Sequence, residues 1–195
     1  MSEFRKASGP RAQATILERT PYAPAVGAAE LSAALREDAR ELLSALRLRI
    51  VPACAPEDLL KAAPDQALIL VFSDTPALPP MAIEAAIDGL AEGELAVGPC
   101  VDGSLYLLVL GAGLDPSLAA EAMALAPLPD ALARLTDLCD ETETAVTVLP
   151  PWFRLAEAKD LSFAESLARL SLMSEEGEED FVADRLRVWF EDHAG

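Results

Sequence analysis

Two acidic turns, each following a short apolar segment, are the residues of this sequence best placed to do chemistry. The apolar run at 68–72 ends in Ser73-Asp74-Thr75-Pro76, and a second short segment ends in Asp102-Gly103. Open α/β sheets hold their ligands in a crevice outside the carboxyl ends of the strands. Two carboxylates at such strand ends predict a site for a cation and a phosphate group.

Each of these residues also has an ordinary structural interpretation. Asp-Thr-Pro starts turns, so Asp74 can form a turn or cap the helix that follows Pro79. Asp-Gly is a strong signal for a two-residue hairpin, and we favour the hairpin for Asp102-Gly103. Tyr106 is expected to pack in the core with its hydroxyl at a polar edge.

Strands that alternate with helices must position these residues. Apolar runs bounded by turn residues predict strands at 48–51, 68–72, 95–97, 105–110 and 145–149. Helical spacing predicts helices from 29 to 46 and at 56–62, 81–92, 116–125, 129–139 and 163–173. The alternation is typical of an α/β sheet with helices on both faces.

The predicted domain boundaries separate a central domain from two terminal segments. Residues 1–20 are expected to be an N-terminal arm with a short strand at 14–17, and residues 21–173 the α/β domain. Residues 174–195 are expected to be an acidic linker and an amphipathic helix. The apolar face of that helix could dock on a protein partner or a second copy of the chain, or pack on its own domain.

Composition narrows the class of partner. The net charge of −18 disfavours nucleic acid and anionic membrane surfaces, so we expect neither as a partner. The longest apolar run, 67–72, is too short to span a bilayer, and no secretion signal is visible. Three widely spaced cysteines and a single histidine argue against a thiolate or imidazole metal site, and they fit a cytoplasmic location.

Three motifs occur in a fixed order between residues 67 and 170. They are Ser73-Asp74-Thr75-Pro76-Ala77-Leu78, Gly98-Pro99-x-x-Asp102-Gly103-x-x-Tyr106-Leu107-Leu108, and Leu149-Pro150-Pro151-Trp152-Phe153 followed by Lys159-Asp160-Leu161. This ordered set resembles the bacterial GT-A-like glycosyltransferase family of the nucleotide-diphospho-sugar transferase superfamily.

The resemblance implies a mixed, mostly parallel sheet with a nucleotide-diphospho-sugar site at its strand ends. It implies that Asp74 helps to hold Mg²⁺ or Mn²⁺, a hard cation that suits carboxylate ligands and neutralises the departing diphosphate. It also implies that Asp102, Gly103 and Tyr106 line the sugar or acceptor side. It assigns no catalytic residue.

The sequence departs from the family pattern in two charged segments. Glu18-Arg19-Thr20-Pro21 stands where the family has a basic Lys-Thr-Arg run, and Arg154-Leu155-Ala156-Glu157 stands where it has Asp-Val-Asp-Thr. Arg154 could pair with a phosphate or form a salt bridge. We expect a shortened, degenerate member that lacks part of the N-terminal nucleotide-binding region. Its expected function is metal-assisted nucleotide-sugar binding with weak or lost glycosyl transfer; the alternative is a non-catalytic interaction module or homo-oligomer.

Overall fold

Six strands form one mixed sheet. The computed structural model describes residues 12–22, 27–53, 58–59, 65–171 and 183–193. Its strands are β1 (Ala12–Leu17), β2 (Arg49–Ile50), β3 (Ala67–Phe72), β4 (Leu95–Pro99), β5 (Leu105–Leu110) and β6 (Val146–Val148). Their order across the sheet is β2-β1-β3-β5-β4-β6. Only β5 runs against the others, because it pairs antiparallel with both β3 and β4.

Helices cover both faces of this sheet, which confirms the predicted α/β architecture. They are α1 (Ala28–Ala45), α2 (Pro80–Gly89), α3 (Pro116–Leu125), α4 (Ala131–Thr142), α5 (Ala158–Ser171) and α6 (Asp184–His193). Helices α1 and α2 pack on one face, and α3 and α4 pack on the other. The predicted helix at 56–62 falls mostly outside the described residues. No helix in the described ranges has both the length and the apolarity to cross a bilayer.

Strand β3 is the central strand of the core. Ile69 and Val71 contact the α1 and α2 side, whereas Leu68, Leu70 and Phe72 contact the α3 and α4 side. A strand buried on both faces has no polar alternation, and this is why the segment appears in the sequence as one unbroken apolar run. Its carboxyl end carries Asp74 to the edge of the sheet.

Strand β1 corrects the prediction of an N-terminal arm. Residues 12–17 lie inside the sheet, parallel to β2 on one side and to β3 on the other. Ala12 and Ala14 are fully buried, and the polar residues Gln13 and Thr15 are buried with them. The predicted short strand at 14–17 is therefore a longer strand inside the sheet, and its small and polar side chains explain why it was placed in an arm outside the domain.

Helix α6 packs on its own chain. Leu186 and Trp189 are buried against Leu31 and Leu35 of α1 and against Leu155. The apolar face of α6 therefore packs on the chain's own domain, which was one of the alternatives that the sequence left open. A partner that used this face would first have to displace α6. The acidic linker at 175–180 lies outside the described residues.

A buried carboxylate fixes where α6 begins. The two side-chain oxygens of Asp38 in α1 accept the backbone N–H groups of Arg185 and Leu186, each at 3.0 Å. In the middle of the helix, Trp189 Nε1 donates to the carbonyl of Gly27 at 3.1 Å. Asp38 thus acts as an N-terminal cap supplied by another helix, because the first N–H groups of a helix have no partner of their own.

We expect Asp38→Ala to destabilise the protein by about 1–3 kcal/mol, because it leaves two backbone donors of α6 without their acceptor. Urea unfolding followed by tryptophan fluorescence measures the change. Glu37→Ala is the matched control, since Glu37 lies on the same helix and its carboxylate is partly exposed. Equal stability of the two variants would contradict the capping role.

Candidate functional site

Four charged side chains meet at the carboxyl edge of the sheet. Arg19 follows β1, Asp74 follows β3, Asp102 follows β4, and Arg154 follows β6. Because these four strands are parallel to one another, their carboxyl ends lie at the same edge. Backbone hydrogen bonds bring the Arg154 segment to the cluster, since the N–H of Leu155 donates to the carbonyl of Asp74 at 2.9 Å.

Asp74 lies at the centre of the cluster with no surface exposed to solvent. Its Oδ2 is 2.8 Å from Arg154 Nε, and its Oδ1 is 3.5 Å from Arg19 Nη1. Neither oxygen receives an aligned hydrogen bond from the described residues, so both contacts are ion pairs. Asp74 does not cap α2, because that helix begins after Pro79 without a side-chain cap.

Arg19 is held in place by three kinds of contact. Its guanidinium lies 3.9 Å from the centre of the Phe72 ring, and Nη1 donates to the carbonyl of Leu105 at 3.1 Å. Its backbone N–H donates to Ser73 Oγ at 2.9 Å. Stacking on an aromatic face is a favourable setting for a guanidinium. Nε and Nη2 are nevertheless buried without a hydrogen-bond partner among the described residues.

Asp102 and Gly103 lie in the turn of the β4–β5 hairpin, which confirms the predicted hairpin, although residues 100–104 separate the two strands where a two-residue turn was expected. Asp102 Oδ1 accepts hydrogen bonds from the backbone N–H and the hydroxyl of Ser104 at 3.0 and 2.6 Å. Gly103 has a φ of 89°, a left-handed conformation that favours glycine. Asp102 Oδ2 is 3.7 Å from Arg154 Nη1, so the hairpin turn also faces the charged cluster.

Tyr106 packs beneath this turn. It is fully buried, and its hydroxyl donates to the carbonyl of Pro150 at 3.1 Å. Its ring occupies the space where a Cβ at Gly98 would stand, and burial raises the pKa of the phenol to about 12. The expectation that Tyr106 packs in the core is met. It presents no exposed group to a substrate, so its part in a site is to support the loop after β6.

The residues around Asp74 do not fit a divalent cation. Two guanidinium groups already lie against the two carboxylate oxygens, and a metal ion there would be repelled by both. Ca²⁺ needs six or more oxygen ligands, and Mg²⁺ needs nearly ideal octahedral coordination by oxygen atoms. In the described part of the chain, no group of three or more His, Cys, Asp or Glu side chains is placed to hold a metal. The Mg²⁺ or Mn²⁺ expected from the resemblance thus disagrees with this arrangement.

Burial dominates the titration behaviour of the cluster. It raises the pKa of Asp74 to about 6, although the charges of Arg19 and Arg154 act in the opposite direction. Burial also raises the pKa of the neighbouring Cys100 thiol to about 12, so this cysteine is not a ready nucleophile. With this pKa, Asp74 is mostly ionised at neutral pH. Because the pKa lies near neutral pH, a change in the charges nearby can alter the protonation of Asp74.

Two hollows lined by described residues lie at the opposite edge of the sheet. A cleft of about 380 Å³ opens there beside Gln66, Leu90 and Gly111. A smaller cavity of about 80 Å³ adjoins it and is lined in part by the buried Gln13. Among the described residues of the charged cluster, Arg154 and Asp102 are the ones that reach the surface most, with 19% and 39% of their side chains exposed.

Comparison with known proteins supports the fold. No protein-family model and no curated protein matches the chain. A crystal structure of a putative nucleotide-diphospho-sugar transferase from Desulfovibrio desulfuricans G20 is similar to it, with a TM-score of 0.61 and 17% sequence identity. The match covers 93% of this chain and 97% of that chain. At this identity the similarity shows a shared fold, and the shortening expected from the sequence is not seen against that protein.

The pKa of Asp74 predicts the pH dependence of stability. A folded-state pKa of about 6, above the ordinary 3.8, means that the contribution of this group is fully present below pH 3.8 and is lost as pH rises through 6. Relative to Asp74→Asn, the wild-type protein should lose stability on the order of 1 kcal/mol between pH 5 and pH 8. Urea unfolding at several pH values measures this difference. Asp140→Asn, an exposed change on α4, is the control; an Asp74→Asn protein that kept the wild-type pH slope would refute the assignment.

Proposed function

We propose that this protein binds a nucleotide-diphospho-sugar, or the nucleoside diphosphate left by one, at the carboxyl edge of its sheet, and that its own transferase activity is weak or lost. The observation that carries the proposal is a pair of partly buried arginine side chains at that edge: Arg19 Nε and Nη2 have no hydrogen-bond partner among the described residues, and Arg154 lies between Asp74 and Asp102. Buried polar groups without partners are uncommon in folded proteins and call for a physical explanation. Phosphate oxygens are the acceptors that a guanidinium suits best.

The place of these donors in the sheet supports the same proposal. From β1 the chain continues to β2 on one side, and from β3 it continues to β4, which lies on the other side of the sheet beyond β5. The crevice between β1 and β3 is therefore a switch point of the sheet, where open α/β folds bind their ligands. Arg19 and Asp74 follow these two strands directly.

Weak or lost catalysis follows from the state of the two carboxylates. Asp74 is fully buried between two arginines, so it cannot reach a reacting atom of a ligand. Asp102 is more exposed, but Oδ1 is engaged by Ser104 and Oδ2 faces Arg154. General acid or base catalysis needs a carboxyl group within hydrogen-bond reach of the proton that it transfers. In this proposal Asp102 and Gly103 line the ligand, and Asp74 orients the arginines.

A protein-interaction role is the second candidate, and one observation favours it. Helices α5 and α6 contact each other, and each carries exposed apolar side chains: Phe163, Leu170 and Val188. Exposed apolar groups on adjoining helices suit a partner surface when they are contiguous. This candidate does not need the charged cluster to bind anything.

Nucleotide titration tests the first proposal. We expect UDP or GDP to bind the folded protein with micromolar affinity in isothermal titration calorimetry, and Gly103→Ala to weaken binding because it strains the turn beside the ligand. Gly93→Ala is the matched control: Gly93 also has a positive φ, 78°, but it precedes β4 and lies at the opposite edge. If neither nucleotide binds, with or without Mn²⁺, the proposal is wrong and the interaction role gains support.

A further inference from the structure

We infer that Arg19 and Arg154 take the place of a metal ion in this site, so that a diphosphate binds without a divalent cation. The inference rests on the proposed function and names the groups that neutralise its ligand. It follows from the disagreement between the Asp74 surroundings and any hard cation. The two guanidinium groups lie 2.8 and 3.5 Å from the carboxylate that such a cation would need.

The donors of the two arginines are suited to phosphate. Arg19 Nε and Nη2 have no hydrogen-bond partner among the described residues, and Arg154 Nη1 makes a long contact of 3.7 Å with Asp102 while Arg154 Nε faces Asp74. Both side chains reach the surface, with 12% of Arg19 and 19% of Arg154 exposed. A ligand at this surface can engage them through the small side-chain adjustments that accompany binding. Charge-assisted bonds from a guanidinium to phosphate are stronger than neutral hydrogen bonds.

The longest ion-pair distance of the cluster, between Arg154 and Asp102, indicates where a phosphate would bind. Arg154 is 2.8 Å from Asp74 but 3.7 Å from Asp102, and 39% of the Asp102 side chain is exposed. A phosphate can therefore take the place of Asp102 as the outer partner of Arg154, while Asp102 turns to solvent. Asp74 stays behind the arginines and keeps them in position.

The balance of charge around Asp74 supports this exchange. Arg19, Arg154 and Asp102 face Asp74 from the segments after β1, β6 and β4, and the four charges sum to zero when both carboxylates are ionised. Glu18, which precedes Arg19 in the chain, is exposed and forms an ion pair with Arg36 at 2.9 Å. When a phosphate displaces Asp102, the two arginines face one buried carboxylate and one ligand. The ligand then supplies the negative charge that Asp102 gave up.

This arrangement and a metal site predict opposite effects for one substitution. Asp102→Asn removes the carboxylate that competes with phosphate, yet its side-chain oxygen can still accept the bonds from Ser104. We expect this variant to bind nucleotide several-fold more tightly when no metal is present. A site that bound metal through its carboxylates would be weakened by the same change.

The test is calorimetric titration of the full chain with UDP, GDP and inorganic pyrophosphate, each in EDTA and in Mn²⁺. We expect affinities in EDTA and Mn²⁺ that agree within about twofold, and a loss of about tenfold or more in Arg154→Gln. Arg134→Gln is the matched control, because Arg134 is an exposed arginine on α4 that pairs with Asp130; it should bind as the wild type does. Binding of pyrophosphate alone would show that the arginines recognise phosphate itself, and binding of the nucleotides only would add recognition of the nucleoside.

Each other result overturns a defined part of the argument. Binding that requires Mn²⁺ rejects the arginine pair and leaves the proposed function standing. Binding in EDTA that Arg154→Gln does not weaken, or that Asp102→Asn weakens, also rejects the pair. No binding of any probe rejects the proposed function itself. If circular dichroism shows that Arg154→Gln is unfolded, the direction of the Asp102→Asn effect decides the inference.

Discussion

The carboxyl edge of this sheet is organised around a carboxylate that water does not reach. An ionised carboxyl group in a protein interior is stable only when opposite charges compensate for its lost hydration. Because Asp74 is fully buried, Arg19 and Arg154 lie against its carboxylate and compensate its charge. Their contacts with Asp74 fix the positions of the segments after β1 and β6. Backbone bonds make the same connections, since Tyr22 donates to the carbonyl of Leu155 and Leu155 donates to that of Asp74.

The single antiparallel strand explains how the hairpin joins this centre. Because β5 runs against β4, the end of β4 and the start of β5 lie at the same edge as the ends of β1 and β3. The turn between them places Asp102 beside Arg154, and the first residue of β5 supplies the carbonyl that Arg19 binds. A sheet with only parallel strands would put a long crossover here instead of the short turn at residues 100–104.

The elements that the sequence predicted well are those in which local chemistry and burial agree. The unbroken apolar run of β3, the Asp-Gly turn and the helix that begins at Pro116 each carry a local signal. Strand β1 carries a weaker signal, because its buried positions hold alanine, glutamine and threonine, and the sequence predicted only a short strand at 14–17 within a terminal arm. An N-terminal arm was the natural prediction for such a segment, and Arg19 was lost from the site with it.

The pairing of Asp74 with Arg154 could not be predicted in the same way. The two residues are far apart in the chain, and each alone is compatible with a turn, a solvated surface or a ligand contact. Only the sheet order brings their strands to one edge. The chain has 33 acidic but only 15 basic residues, so an arginine just beyond a predicted strand is uncommon in it. Such an arginine was the sequence signal that could have indicated the site. The amphipathic pattern of α6 was equally clear, but a pattern on one helix does not identify the surface that it covers.

The packing of α6 on α1 also has a consequence for the order in which the chain is made. The ribosome makes α1 before α6. The apolar side chains of Leu31 and Leu35 therefore lack their packing partners Leu186 and Trp189 until α6 has been made. Until then the growing chain exposes an apolar surface, the kind of surface through which incomplete chains aggregate. A chain that lacks α6 is therefore expected to aggregate more readily than one in which α6 covers α1.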